Sequence, residues 1–295
     1  MKVEEIQIPA PWGHIAVKVW GDAQNEAILV IHGVFDNAGA FDNLIPCLPQ
    51  NLYYICIDLP SHGKSSHFPL TAPIHTIDFV VPIRIVGNFF KREKYIAMGH
   101  SLGGQVFMFF AQLYPEMISK IILLDALYLF PFDEHMFFDI AKSGFDRFFR
   151  IMEQKQTRKI SYTYEEAIQK LIAGRDHDEM TRFAAEPLMK RMFEKIGEDE
   201  YVMNIDSRLK ERFYPSGGMK FIVKVHKNQP VSCPVLILLS TSRCLDYLLE
   251  PLYKLYVENG YEIHKYEGHH DMHSTNPEII APFIVKFLLK DKNKL

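Results

Sequence analysis

Ser101 stands in the part of this 295-residue chain that is best suited to chemistry. It is the middle residue of Gly99-His100-Ser101-Leu102-Gly103, which comes directly after an apolar run and before a helical stretch. A serine on such a strand-to-helix turn is strained, and only small neighbours leave room for the tight backbone. The turn lifts the hydroxyl clear of the sheet and puts it at a helix N-terminus, where the dipole favours negative charge. The pattern predicts that Ser101 is the nucleophile of an acyl transfer.

A second motif, His32-Gly33-Val34, is suited to stabilising an oxyanion. Acyl transfer needs backbone N–H donors that face the oxygen on which negative charge develops. The motif ends an earlier apolar run, where the chain turns into a loop before the helical segment that leads to Ser101. We therefore predict that the amides of Val34 and Leu102 form the oxyanion hole.

A histidine cluster at residues 268–273 offers a general base for the serine proton. It follows a predicted strand and precedes the last predicted helix. We predict His270 as the base because it lies seven residues before Pro277, where the final helix begins. His269 and His273 are the competing candidates, and we expect them to shape the loop or to contact the base.

Two aspartates compete for the acid that orients the imidazole and stabilises its cation. Asp125 ends the apolar run after the nucleophile's helix, at the sheet edge where active sites of open α/β sheets gather. The next core strand leads into a loop with no carboxylate until Asp246. A helix-capping role is the structural alternative for Asp125. We predict Asp125 as the acid and keep Asp246 as the alternative.

Apolar runs separated by helical segments must position these residues. Such runs are expected of strands that are buried on both faces of a parallel sheet. Four of them occupy the first part of the chain, and the pattern returns in the last part: AILVIHG, YYICIDLP, KYIAMGHS, SKIILLDAL, CPVLILLS and YEIHKYEG. HIAVKVW alternates as a half-buried strand does. We predict an α/β fold with a mostly parallel central sheet flanked by helices.

The segment 127–230 has a different character and is predicted to be a helical cap or lid. It contains amphipathic stretches such as YTYEEAIQKLIAG and EPLMKRMFEKIG, and no buried strand run is evident. Phenylalanines recur in it at helical spacings: Phe130, Phe132, Phe137, Phe138, Phe145, Phe148 and Phe149. The core is then divided into residues 1–126 and residues 231–295.

Composition limits the class of protein. Hydrophobic residues make up 48% and charged residues 23%, which suits a globular chain that needs no disulfide or metal to fold. The net charge is −3 and no long basic run is present, so we expect no nucleic-acid partner. No apolar stretch reaches the ~20 residues of a membrane helix, so no membrane span is expected. The sequence gives no indication of oligomeric state.

The cysteines and the chain ends suggest a compartment. The four cysteines form no metal-binding pattern, no N-glycosylation sequon occurs, and the N-terminus lacks the apolar core of a signal peptide. These features predict a reducing, cytoplasmic setting. The chain ends in Asn293-Lys294-Leu295, one substitution from the peroxisomal Ser-Lys-Leu address, so the peroxisome is the alternative.

The motifs also resemble those of a known family. Across essentially the whole chain they are similar to the animal serine hydrolase-like proteins and their insect relatives of the kraken type, within the α/β-hydrolase superfamily. The segments that carry the resemblance are PWGHIAVKVWG, HGVFDNAGAFDNLIPCLP, DLPSHGKSSHF, GHSLGG, YPEM and IILLDA. The resemblance implies a cap between the sixth and seventh core strands and a cytoplasmic or peroxisomal setting. By motif it implies Ser101, His270 and Asp125, and it leaves the commonest acid position, near Arg243, without a carboxylate.

Together these features predict a two-step acyl transfer on an ester-like bond of a small, apolar substrate. The mechanism requires neither a metal nor an organic cofactor. A hydrolase-fold ligand receptor, or a nearly inactive binding protein, is the alternative from another class. Amide or carbon–carbon bond hydrolysis at the same serine is a third reading.

Overall fold

The computed structural model describes residues 1–129, 131, 134–153, 160–175, 180–211, 217–242 and 246–290. Phe130, Phe132, Arg243 and the C-terminal Asn293-Lys294-Leu295, on which expectations were placed above, lie outside these ranges.

The described chain contains a large sheet of eight strands and a small sheet of three. The strands are β1 (Val3–Ala10), β2 (Gly13–Trp20), β3 (Glu26–Ile31), β4 (Leu52–Ile57), β5 (Tyr95–His100), β6 (Ile118–Leu124), β7 (Ser161–Tyr162), β8 (Phe193–Gly197), β9 (Glu200–Met203), β10 (Val235–Ser240) and β11 (Glu262–Tyr266). The large sheet has the order β1-β2-β4-β3-β5-β6-β10-β11. Its strands pair in parallel except that β2 is antiparallel to both of its neighbours.

The central strands are buried along their length. All six residues of β4, β5 and β10 are buried. Such strands read as continuous apolar runs because both faces of the sheet are covered. The observed sheet confirms the predicted α/β fold class. Because β3, β5, β6, β10 and β11 run parallel, their carboxyl ends meet at one edge of the sheet.

Helices cover both faces of the large sheet. They are α1 (Val80–Phe90), α2 (Leu102–Leu113), α3 (Phe137–Glu153), α4 (Tyr164–Ala173), α5 (Arg182–Met192), α6 (Met219–Asn228), α7 (Asp246–Glu258), α8 (Met272–Thr275) and α9 (Pro277–Leu289). The apolar sides of α1, α2 and α7 pack on one face, and those of α5 and α9 pack on the other. Within the described ranges no helix has the length and apolar character of a membrane span.

The segment between β6 and β10 differs from the expectation of a purely helical insertion. Besides α3 to α6 it contains the small antiparallel sheet, in the order β7-β9-β8. The helix predicted to continue through residue 197 ends at Met192, and Phe193–Gly197 form β8. β8 and β9 form a hairpin in which Gly197 pairs with Glu200. Pairing with a neighbouring strand therefore overrides the helical spacing, which the sequence pattern alone does not reveal.

Candidate active site

The Ser101 turn connects β5 to α2 in a conformation that side chains seldom adopt. Ser101 has φ 47° and ψ −114°, and its N–H donates to the carbonyl of Leu124 at the end of β6, at 3.0 Å. A Cβ on Gly99 would lie 2.4 Å from the amide nitrogen of Gly104, and one on Gly103 would lie 2.3 Å from the carbonyl oxygen of Ile31. The two glycines are therefore needed because backbone approaches them closely, and they allow the serine turn to form.

Asp125 lies at the same edge of the sheet, directly after β6. It has φ 46° and is only 4% exposed. One carboxylate oxygen, Oδ1, accepts the backbone N–H of Ser240 at 2.9 Å. The other, Oδ2, accepts a hydrogen bond from Nδ1 of His270. The carboxylate therefore holds the end of β10 and the predicted base at the same time.

His270 lies in the loop between β11 and α8 and keeps part of its surface open to solvent. Its side chain is 37% exposed. Its backbone carbonyl accepts the Nε2–H of His100 at 3.0 Å, and the two imidazole rings are 4.5 Å apart. Because His100 directly precedes Ser101, this hydrogen bond ties the serine turn to the loop that carries His270.

The other two histidines of the cluster make different contacts. Nδ1 of His269 accepts the N–H of Asp271 at 3.2 Å, and its Nε2 donates to the hydroxyl of Thr275 at 3.1 Å. His273 is buried, with its ring 4.0 Å from that of His100. Asp246, the alternative acid, begins α7, but its side chain lies outside the described part of the structure.

The structure also brings the predicted oxyanion segment beside the serine turn. Val34 follows β3 in a turn closed by the N–H of Asp36 on the carbonyl of Gly33, at 3.3 Å. A Cβ on Gly33 would lie 2.7 Å from Nδ1 of His100, so glycine allows the two loops to touch. Leu102 is the first residue of α2, where the amide has no partner within the helix.

A buried charge network behind His270 was not found by sequence reasoning. Arg175, which follows α4, forms an ion pair with Asp36 and a second with Asp271, at 3.5 Å from Nη1 to Oδ2. Both carboxylates are about 1% exposed. The three residues are far apart in the sequence, and no local spacing joins them. The network links the predicted cap to the loops that contain Val34 and His270.

Two buried imidazoles, those of His100 and His273, lie next to this network. Burial lowers the pKa of His100 well below its usual value, with the neighbouring His273, His270 and Arg175 adding to the effect. Burial also lowers the pKa of His273 to about 3. Both rings are therefore neutral near pH 7. Among the described residues, neither ring nitrogen of His273 has a hydrogen-bond partner.

The same cluster contains a possible set of metal donors. Nitrogen atoms of His100 and His273 and an oxygen of Asp271 lie within 4.8 Å of one another, and two imidazoles with a carboxylate suit a transition metal. However, Nε2 of His100 already donates to a carbonyl, and the Arg175 guanidinium already faces Asp271. The Arg175 guanidinium therefore already provides a positive charge beside these donor atoms.

Comparisons with known proteins agree with this architecture. The α/β-hydrolase fold family matches residues 26–243. The chain is 28% identical to the serine hydrolase-like protein of mouse (Mus musculus), covering 96% of this chain and 95% of that protein. It is 29% identical to human serine hydrolase-like protein 2, covering 97% and 94%. The resemblance inferred from the motifs is thereby confirmed.

A solved structure shows the same fold over the whole chain. The crystal structure of a hypothetical protein from Pseudomonas aeruginosa PAO1 superposes with a TM-score of 0.84 at 24% identity, covering 99% of this chain and 100% of that one. At this identity the match concerns the fold alone.

Proposed function

We propose that this chain, which belongs to the α/β-hydrolase fold family, is a serine hydrolase that cleaves ester-like bonds through an acyl-enzyme on Ser101. The observation that carries the proposal is the hydrogen bond between Asp125 and Nδ1 of His270, at the sheet edge where the strained Ser101 turn lies. A buried carboxylate on one imidazole nitrogen, beside a serine on a strained turn, is the arrangement that activates a hydroxyl nucleophile.

The proposed reaction has two steps. Ser101 Oγ attacks the substrate carbonyl while Nε2 of His270 takes the hydroxyl proton, and Asp125 stabilises the imidazolium that forms. The amides of Val34 and Leu102 donate to the oxyanion. His270 then gives the proton to the departing alcohol. In the second step His270 takes a proton from the water that attacks the acyl carbon. The bond to Ser101 Oγ then breaks, His270 returns the proton to Oγ, and the acid is released.

An apolar substrate is supported by α3, on the predicted cap. Phe138, Phe145 and Phe149 expose roughly half of their surface or more, whereas Phe148 is buried. Large apolar side chains left in solvent on the predicted cap suit contact with an apolar ligand. The proposed substrate is therefore a small molecule with an apolar acyl or alcohol part.

Hydrolysis of 4-nitrophenyl esters of graded acyl length tests the proposal. We expect the native protein to turn over these esters. Ser101→Ala should lower the turnover by several orders of magnitude, because removal of the nucleophile removes the covalent step. Ser232→Ala, a change at an exposed serine, is the matched control and should retain activity. Undiminished turnover in Ser101→Ala would overturn the proposal. Binding of the esters with negligible turnover by the native protein would favour the ligand-receptor reading.

A further inference from the structure

A cavity of about 430 Å³ lies between the end of α4 and residues 203–210. This volume is within the range of small-molecule sites. Its apolar lining residues are Phe35, Leu171, Met192, Met203 and Ile205. Its charged lining residues are Lys170, Arg175, Asp206 and Lys210. The cavity is therefore an apolar chamber with an excess of cations around it.

Two of the charged lining groups are neutralised within the protein. Arg175 is paired with Asp36 and Asp271. Asp206, the lining carboxylate, is 2.6 Å from the guanidinium of Arg208. Neither Arg175 nor Asp206 is therefore an unpaired charge at the cavity.

The two lysines are different. The Lys170 ammonium lies 5.1 Å from the centre of the Tyr162 ring, and neither it nor Lys210 pairs with a carboxylate among the described residues. Both are exposed at the cavity. Two ammonium groups that no described carboxylate neutralises, beside an apolar lining, attract an anion that is attached to an apolar body.

The cavity borders both loops of the proposed active site. Phe35 directly follows Val34, whose amide is a proposed oxyanion donor. Arg175 contacts Asp271, which directly follows His270. The cavity lining therefore includes one neighbour in sequence of a proposed oxyanion donor and one residue that contacts the loop of the proposed base.

We propose that this cavity binds an anionic group of the substrate. The inference rests on the proposed function and names the substrate class: an ester whose apolar arm ends in a carboxylate or a phosphate. The apolar lining holds the arm, and Lys170 and Lys210 hold the anion at its end. A compact anion bound by two ammonium groups forms charge-assisted hydrogen bonds, which are stronger than neutral ones.

Three esters with the same acyl chain test the charge preference. 4-Nitrophenyl hexanoate is neutral, 4-nitrophenyl hydrogen adipate ends in a carboxylate, and 4-nitrophenyl 6-(phosphonooxy)hexanoate ends in a phosphate. We expect kcat/KM for at least one anionic ester to exceed that for the neutral ester about tenfold, which corresponds to one charge-assisted contact. The better anionic ester identifies the terminal group. About 1 M salt should reduce the ratio, since it shortens the Debye length to about 3 Å.

The double variant Lys170→Met/Lys210→Met should bring the ratio of anionic to neutral kcat/KM close to one. Methionine keeps much of the side-chain length and removes the charge. Lys227→Met, at an exposed lysine of α6 outside the cavity, is the matched control and should keep the native ratio. A native protein without preference, or a double variant that keeps the native preference, would overturn the inference.

Binding separates this inference from the proposed function. The anilides of hexanoic acid and adipic acid are not esters, and their binding to the native protein can be measured by calorimetry whether or not any ester is hydrolysed. Suppose that the adipic monoanilide binds more tightly than the hexanoic anilide and that the double variant loses this difference. This result supports the anion site in the cavity even if Ser101 proves not to be a nucleophile. Ser101-dependent hydrolysis without any charge preference leaves the proposed function standing and removes the cavity assignment.

Discussion

Asp125 shows how a single residue joins the fold to the proposed chemistry. Its backbone adopts φ 46° at the end of β6, which directs the chain away from the sheet. One of its carboxylate oxygens accepts from the β10 backbone at Ser240, and the other accepts from His270. The backbone N–H of Ser101 donates a hydrogen bond to the carbonyl of Leu124, the residue before Asp125. The proposed nucleophile and the proposed acid are therefore placed by the same strand end.

Asp125→Asn should lower ester turnover by about four orders of magnitude, as in the serine-protease template, because an amide neither selects the same imidazole tautomer nor stabilises its cation. Steady-state kcat/KM is the measurement, and urea unfolding checks that the variant is folded. Asp246→Asn is the matched change at the competing aspartate and should have little effect. A larger loss in Asp246→Asn than in Asp125→Asn would move the acid to the other position.

The sequence pointed to some site residues and not to others, for a physical reason. Ser101, Val34 and His270 could be predicted because strand-to-helix turns and loop positions leave local patterns. The structure brings Asp125 and His270 into contact, and their catalytic roles remain predictions. Arg175, by contrast, meets Asp36 and Asp271 only after the chain folds. No periodicity or spacing encodes such a contact.

At the scale of elements, buried ionic contacts fasten the segment between β6 and β10 to the core. Arg191, in α5, lies 2.8 Å from the carboxylate of Asp58 after β4. Arg175 makes the corresponding link nearer to the proposed site. The side chain of Asn37 also donates to the carbonyl of Leu188 in α5, at 3.0 Å. These links fix the position of the predicted cap over the sheet edge.

Arg175→Ala should destabilise the protein by about 3–5 kcal/mol, since it leaves two buried carboxylates without their cation. Arg182→Ala is the control from the same segment. Arg182 pairs with Glu165 and Glu186 at the surface, and such exposed pairs contribute little to stability. The free energy of unfolding in urea measures both. Equal losses in the two variants would show that the Arg175 network contributes no more than a surface ion pair.

Element prediction succeeded where a segment's own pattern decided its structure. The apolar runs became β3, β4, β5, β6, β10 and β11, and the last helix begins at Pro277 as predicted. Element prediction failed where pairing with another strand determined the structure of a segment. β1 pairs with β2 along its whole length, and β8 pairs with β9, although neither β1 nor β8 carries a buried apolar run.

At the scale of the whole molecule, the parallel sheet gathers the proposed site from four distant parts of the chain. Val34 follows β3, Ser101 follows β5, Asp125 follows β6, and His270 follows β11. These strands run in one direction, so their following loops share one edge, as ligand sites in open α/β sheets do. The fold class was predictable because burial on both faces leaves a strong sequence signal. The path of the 127–230 segment was not, because long-range contacts determine it.

Labelling with a fluorophosphonate probe tests the central claim, that Ser101 is an activated nucleophile, most directly. The probe reacts with a serine whose hydroxyl is deprotonated by a neighbouring base, and peptide mass spectrometry identifies the modified residue. We predict a single adduct on Ser101 in the native protein and no adduct in Ser101→Ala. Labelling of Ser101→Ala at the native rate, or the absence of labelling of the folded native protein, would contradict the account.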